Sequence, residues 1–135
     1  MTRDRFDIAA SHSADLQLDV VWLDLGPRRR GECRWRDGQV VISPRLTLVE
    51  AACTLAHEVG HAAFGDDYST PAVERRAWEY AASLLVEPWE YAQAERVVGP
   101  DPRALALELG VTVQLVEAWR RWWQRRGRLL HHDRA

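Results

Sequence analysis

The chain has no lysine, only two cysteines and no long run of apolar residues. A membrane-spanning helix needs about 20 consecutive apolar residues, and every apolar run here is interrupted within a few positions. The amino-terminal segment, MTRDRFDIAASHSAD, lacks the apolar centre of a signal peptide. We therefore expect an intracellular, cytoplasmic protein that does not act at a membrane.

The charge balance and the cysteine count exclude further classes. Eighteen arginines are balanced by 20 acidic residues, and the net charge of −2 does not indicate nucleic-acid binding by the chain as a whole. Two cysteines are too few for a disulfide framework or a zinc ribbon. Cys53 precedes His57 by one helical turn, so a thiolate ligand or a Cys-His nucleophile is an alternative to the usual role as a small buried hydrophobe. The 135 residues suffice for one globular domain with a small appended module.

The most informative stretch is TLVEAACTLAHEVGHAAF, residues 47–64, which contains the motif H-E-x-x-H. His57 and His61 are one turn apart on a predicted helix and share one face, and Glu58 lies beside the first of them. Two imidazoles at this spacing can bind one Zn²⁺, and the adjacent glutamate can act on a water that the metal activates. The alternative is a surface helix with two solvated histidines, which the apolar surroundings disfavour.

Start signals predict two consecutive helices here. Thr47 and Glu50 form a capping box for the first helix, and Thr70 with Pro71 starts the second. The apolar face of the second helix carries Glu74 together with Ala77, Trp78, Ala81 and Leu85. A carboxylate on a buried face needs a partner, so a helical hairpin can bring Glu74 to the histidines as a third ligand. Three protein ligands leave one position for water, as in catalytic zinc sites. The alternative role for Glu74 is a favourable charge at the helix start.

The first half of the chain predicts a three-stranded antiparallel sheet packed on the helical zinc core. LDVVWLDL, residues 18–25, is rich in β-branched and aromatic residues, and Asp37-Gly38 is a two-residue hairpin signal. Gln39 to Ser43 is the predicted edge strand beside the metal, where a substrate backbone would add. Three arginines at 28–30 predict a solvated turn, with contact to an acidic partner as the alternative.

The carboxy-terminal part follows a break at residues 99–102 and resembles a helix-turn-helix. Asp101 is its predicted cap and Gly110 its turn residue, and several arginines follow near its end. DNA binding is one hypothesis, but the start of the second helix offers few side chains suited to base edges. We expect a structural or substrate-docking module. The predicted organisation is α+β, with a zinc metallopeptidase core at 1–98 and a helix-turn-helix-like module at 101–128.

Residues 43–88 resemble the ImmA/IrrE family of small intracellular zinc metallo-endopeptidases. In that family an H-E-x-x-H helix is followed by a helix reading roughly E-x-x-A-N-x-F-A-x-x-L-L-x-P; here ERRAWEYAASLL starts at Glu74. The resemblance implies His57, His61 and Glu74 as zinc ligands and Glu58 as catalytic acid and base. It also implies that the substrate is a cytoplasmic transcriptional repressor, cut at one site.

Trp78 departs from the family pattern, which usually has Asn or Asp at this position. Indole can only donate a hydrogen bond, so it cannot accept one from the second nitrogen of a ligating histidine. Either Asp66, Asp67 or a backbone carbonyl takes that role, or the metal affinity is reduced. The candidates for stabilising an oxyanion are Tyr68, Tyr80, Arg75 and Arg76.

Three functional hypotheses follow. The first is a zinc-dependent endopeptidase, in which the basic, Trp-containing surface between Trp119 and Arg128 docks the repressor. The second is a non-proteolytic regulator, in which zinc holds the helices together and the helix-turn-helix binds DNA or a repressor. The third is a structural metal protein without activity, which the open ligand position disfavours.

Overall fold

The computed structural model describes residues 3–133, and their side chains through Gly127. These residues contain six α-helices and three strands. The helices are α1 Arg5–Asp15, α2 Leu48–Phe64, α3 Pro71–Leu85, α4 Pro88–Val98, α5 Pro102–Leu109 and α6 Val113–Asp133. The strands are β1 Asp19–Trp22, β2 Gly31–Arg34 and β3 Gln39–Ile42. The predicted α+β class is confirmed.

Helix α2 is the centre of the fold. Its residues 51–61 are all buried, because α1, α3 and the sheet pack around it. The predicted capping box is present: Glu50 N donates to Thr47 Oγ1 and Thr47 N donates to Glu50 Oε1. Gly65 ends the helix in the left-handed conformation at φ 65°.

The sheet is mixed, which corrects the prediction of a purely antiparallel sheet. The strand order is β1-β3-β2; β1 runs parallel to β3, whereas β2 runs antiparallel to it. The connection from β1 to β2, residues 23–30, is too long for a hairpin turn and passes across the end of β3 instead. Consecutive strands β1 and β2 are therefore not neighbours.

The predicted hairpin exists, but its turn has four residues rather than two. Arg34 pairs with Gln39, and a short 3₁₀ turn at Trp35–Asp37 followed by Gly38 at φ 69° connects them. The predicted edge strand is wrong, because β3 occupies the middle of the sheet. The strand at the edge beside α2 is β2.

The carboxy-terminal helices share their core with the rest of the chain. Asp101 caps α5 as predicted, accepting from Ala104 N, and Gly110 makes the turn to α6 at φ 70°. Trp119 of α6 is 3% exposed, stacks on Tyr91 and donates to the Val86 carbonyl. One apolar cluster includes buried residues from both sides of the break at residues 99–102: among them are Leu55, Leu85, Ala94, Leu105, Leu115 and Val116.

Candidate metal centre

Helix α2 presents His57 and His61 side by side. The two rings are one turn apart with centroids 4.6 Å from each other, and each residue is less than a tenth exposed. Glu58 is similarly buried. Ligand atoms of His57, Glu58 and His61 lie within 4.8 Å of one another, so the three side chains form a group that could hold a metal ion.

Helix α3 brings Glu74 to both histidines. Glu74 Oε2 lies 2.8 Å from His57 Nε2, and Glu74 Oε1 lies 3.0 Å from His61 Nε2. Ser69 Oγ donates to Glu74 Oε1 at 2.9 Å, which fixes the carboxylate from the opposite side. The same ring nitrogen of each histidine therefore faces one carboxylate.

The distances between these atoms are close to those between the ligand atoms of a tetrahedral metal ion. A tetrahedron with bonds of 2.0–2.1 Å separates its ligand atoms by about 3.3 Å. The two nitrogen-to-oxygen distances of 2.8 and 3.0 Å are a few tenths shorter, so small side-chain shifts would admit the ion. Two imidazoles and a carboxylate are also the donor set of catalytic rather than structural zinc sites.

Gly60 makes the close packing of α2 on α3 possible. A Cβ atom at Gly60 would lie 2.9 Å from the Ala77 carbonyl oxygen and 3.3 Å from Ala77 Cα. Both neighbours are backbone atoms, so they cannot move aside as a flexible side chain would. The absence of a side chain at Gly60 lets α3 approach α2 closely, one turn from Glu74.

Asp66, one of the options that the sequence left open, contacts the second ring nitrogen of His61. Asp66 Oδ2 lies 3.0 Å from His61 Nδ1, and its other oxygen accepts from Arg76. The Asp66 backbone donates to the His61 carbonyl past Gly65 and accepts from the Trp35 indole. Because the helix ends at Gly65 in this way, the Asp66 carboxylate lies next to the His61 ring. Asp67, in contrast, pairs with Arg36.

Trp78 packs flat against His57 instead of accepting a hydrogen bond from it. The ring centroids are 4.2 Å apart and the planes differ by 18°. The indole thus limits rotation of the imidazole by contact. On its Nδ1 side His57 has the Glu58 carboxylate, with Oε1 at 3.4 Å.

The pKa values reflect this dense set of charges. Burial disfavours a charged His57, but the Glu58 and Glu74 carboxylates outweigh it, and the pKa of His57 is raised. Burial alone would raise the pKa of Glu74. The hydrogen bonds with His57 and Ser69 outweigh this effect, and the pKa of Glu74 is lowered. Burial raises the pKa of Cys33, on β2, to about 11, so this thiol is protonated at neutral pH.

An open cleft of about 230 Å³ lies over the candidate ligands. Its lining consists of Cys33, His57, Glu58, His61, Asp66, Asp67, Tyr68, Ser69 and Glu74. The loop between α2 and α3 forms one wall and β2 forms the other. Gly31 lets β2 lie close to the base of this cleft, because a Cβ there would lie 2.8 Å from Thr54 Cγ2 and 3.1 Å from Glu58 Cγ.

The four residues that are candidates for stabilising an oxyanion lie in different places in the structure. Tyr68 lines the cleft and is 74% exposed. The Tyr80 hydroxyl instead contacts His12 of α1, and the Arg76 guanidinium is held by Asp66. Arg75 lines a separate groove beside Phe64 and Arg125. Of the four candidates, Tyr68 is therefore the one that lines the cleft.

No family model matches the chain, and no curated protein matches it. Among the described residues, no helix has both the length and the apolar character needed to cross a membrane.

Proposed function

We propose that this protein is a zinc-dependent endopeptidase with His57, His61 and Glu74 as ligands and Glu58 as general base and acid. The observation that carries the proposal is the convergence of both Nε2 atoms on the Glu74 carboxylate at 2.8 and 3.0 Å, in an open cleft lined by Glu58. A buried carboxylate beside a candidate metal site, with access from solvent, matches the requirements of peptide hydrolysis.

The roles of the chain's own residues follow from their positions. Zn²⁺ in this site would supply polarisation of the scissile carbonyl and activation of a water. Glu58 would take the proton from that water and return it to the leaving amine, since its carboxylate faces the cleft. Asp66 and Trp78 would keep the two imidazoles in place. Tyr68 would donate to the developing oxyanion.

The outer edge of β2 is where a substrate backbone would bind. Ser43 N donates to the Arg30 carbonyl, and the antiparallel register continues through Glu32 and Val41. Alternate residues of such a ladder direct their N–H and C=O groups away from the partner strand, which leaves those of Gly31 and Cys33 pointing outward. A peptide added there as a further strand would pass along the cleft.

The proposed substrate is a cytoplasmic transcriptional repressor, cut at one site. The cleft is small and shallow, so it offers few contacts to an arbitrary unfolded chain. We therefore expect no appreciable cleavage of casein, because specificity requires additional docking contacts outside the cleft.

The experiment is to incubate the zinc-loaded protein with each repressor encoded beside its gene. We expect single-site cleavage that a chelator abolishes and Zn²⁺ restores. Glu58→Gln should keep the metal but lower the rate by about 10²–10⁴-fold, whereas Glu108→Gln, at an exposed carboxylate on α5, should not change it. Intact repressors in the presence of verified zinc would refute the peptidase.

The DNA-binding alternative receives less support. Arg120 of α6 donates to the Tyr91 hydroxyl and to the Pro100 carbonyl, and Arg125 pairs with Glu79 at 2.8 Å. These guanidinium groups are engaged within the protein rather than free for phosphates. Arg128, which belongs to the predicted basic surface, has a side chain outside the described residues. Salt-sensitive binding to duplex DNA would revive this alternative.

A further inference from the structure

Three consecutive arginines, Arg28, Arg29 and Arg30, immediately precede the edge strand β2; we call them the basic loop. All three are exposed. Because Gly31 is the first residue of β2, the basic loop continues the same open edge that runs beside the cleft. Any extended segment held on β2 and continuing past Gly31 would meet these side chains.

The basic loop is only weakly neutralised. Arg29 Nη2 lies 3.3 Å from Glu32 Oε1, and Arg30 Nη2 lies 3.8 Å from Glu50 Oε2, with both arginines more than half exposed. Arg28 has no acidic partner within the described part of the chain. Exposed ion pairs of this length contribute little stability, so the arginines can exchange them for contacts with a ligand.

The charges along β2 change sign between the cleft and the basic loop. The cleft holds the carboxylates of Glu58, Asp66 and Glu74. Around the loop, arginines outnumber carboxylates by one: Arg28, Arg29, Arg30 and Arg45 lie near Asp24, Glu32 and Glu50. This asymmetry favours a bound segment that is acidic only on the side of the loop.

We propose that the basic loop binds acidic side chains of an extended protein segment lying along β2. This rests on the proposed function, since that segment would be the substrate strand. An extended chain advances about 3.3 Å per residue, and Arg29 is four residues from Cys33, which lines the cleft. The acidic residues should therefore lie roughly two to four residues from the scissile bond, on one side only.

A protein segment fits this surface better than a nucleic acid does. The outward N–H and C=O groups of Gly31 and Cys33 are spaced to pair with a peptide backbone, and they adjoin the basic loop without interruption. A nucleic acid would use the guanidinium groups but not this strand edge.

Binding to the zinc-loaded Glu58→Gln protein tests the proposal without turnover. The probes are fluorescein-labelled peptides of roughly twelve residues, long enough to pass both cleft and loop. All the peptides share a neutral extended centre. Two of them carry three Glu, one at the amino end and one at the carboxyl end. Their counterparts carry three Gln or three Lys at the same end instead. We expect one of the Glu peptides to bind about fivefold or more tightly than its Gln and Lys counterparts at low ionic strength, and the advantage to shrink with salt.

Paired variants locate the effect. Arg28→Gln combined with Arg29→Gln should reduce the preference for Glu to less than about twofold, because the cations nearest the acidic side chains are removed. Arg96→Gln combined with Arg103→Gln removes two exposed arginines from α4 and α5 and should leave the preference intact. Circular dichroism confirms that each variant is folded.

Three results would overturn the proposal: equal binding of all peptides, a preference that survives the loop variant, or tighter loop-dependent binding of duplex DNA than of the Glu peptides. The test is separate from the peptidase hypothesis. If the wild-type protein cleaves its repressor but shows no charge preference, only this proposal fails. If it cleaves nothing while the Glu peptides bind through the loop, only the catalytic assignment fails.

Discussion

At the scale of single residues, two adjacent aspartates have different roles. Asp66 is 7% exposed at its side chain and contacts His61 Nδ1, whereas Asp67 is half exposed and pairs with Arg36. An acceptor on the second ring nitrogen fixes the tautomer and orientation of a ligating histidine. The neighbouring positions therefore provide a matched pair for testing that contact.

Asp66→Ala should lower zinc affinity by about 10–100-fold, since outer contacts of a metal-binding histidine typically contribute that much. Asp66→Asn should recover part of the loss, because the amide oxygen can still accept from the ring. Asp67→Ala should remain near the wild type. Competition with a zinc-sensitive fluorescent chelator measures all three, and equal effects at the two positions would contradict the assignment.

The His57–Glu74 pair should stabilise the metal-free protein most in mildly acidic solution. The pKa of His57 is raised, so its contribution is complete below the ordinary value of 6.5 and is lost as pH rises through the folded-state pKa. The pKa of Glu74 is lowered, so its contribution is present above 4.5 and is lost as pH falls through its folded-state pKa. Together the pair stabilises most between these two values.

Thermal unfolding in the presence of a chelator, from pH 4 to 9, checks this dependence. The difference in melting temperature between wild type and Glu74→Gln should be largest between pH 4.5 and 6.5 and should shrink above that range. Stabilisation by added Zn²⁺ should instead increase with pH, because the ion competes with the proton on His57. A difference that grows towards pH 9 without metal would be inconsistent with the His57–Glu74 pair.

Spacing within one helix made the candidate ligands predictable. His57, Glu58 and His61 follow a fixed pattern in an apolar stretch, and Glu74 was identified by its place on an apolar face. Asp66 remained one of several options, because its role depends on the left-handed ending at Gly65 and not on a sequence pattern. The close packing of Gly31 against Thr54 and Glu58 was not predictable either, because it depends on where β2 lies against α2.

At the scale of elements, the approach of α3 to α2 decides whether Glu74 reaches the histidines. Gly60 has the Ala77 carbonyl 2.9 Å from where a Cβ would lie. Gly127 lies in α6 with nothing within 4 Å of the corresponding point. Replacing each glycine by alanine gives the same gain in helix preference, but only the change at Gly60 also creates a steric clash. Comparing the two variants therefore isolates the free-energy cost of that clash.

Gly60→Ala should destabilise the protein by about 1–3 kcal/mol, because the helices must move apart, and it should weaken zinc binding by displacing Glu74. Gly127→Ala should instead be neutral or stabilising by up to about 1 kcal/mol. Urea denaturation gives both values. Retention of full stability and zinc affinity in Gly60→Ala would show that the packing is looser than described.

The helices were predictable from their ends and the sheet was not. Thr47, Thr70 and Asp101 cap their helices as the sequence indicated, since capping is a local interaction. Strand order depends on where residues 23–30 lead the chain, and local propensity contains no information about that path. The Asp37-Gly38 pair correctly indicated a turn but not its length.

At the scale of the whole molecule, a buried arginine ties four helices together. Arg5 of α1 is 5% exposed, donates to the carbonyls of Leu85 and Leu109, and forms a 2.8 Å ion pair with Glu90 of α4. Nothing near Arg5 in the sequence indicates burial, because its partners are 80 to 104 residues away. Such long-range polar contacts are the part of the fold least accessible to sequence analysis.

Arg5→Met should lower the free energy of unfolding by about 3 kcal/mol or more, because it removes the buried cation that pairs with Glu90 and the side-chain donor to the Leu109 carbonyl. Arg3→Met removes a second, 36% exposed partner of Glu90 and should cost less than about 1 kcal/mol. Urea denaturation of both variants provides the comparison. An equal loss of unfolding free energy in the two variants would mean that the contribution of the Arg5–Glu90 pair does not depend on its burial.

Zinc K-edge X-ray absorption of the purified, zinc-loaded chain tests the central claim most directly. The predicted spectrum shows zinc bound by two imidazoles and by oxygen donors at 2.0–2.1 Å, with no sulfur at 2.3 Å; Glu58→Gln should retain this coordination, and Glu74→Ala should lose the metal. A sulfur shell from Cys33 or Cys53, or full zinc binding without Glu74, would contradict the account.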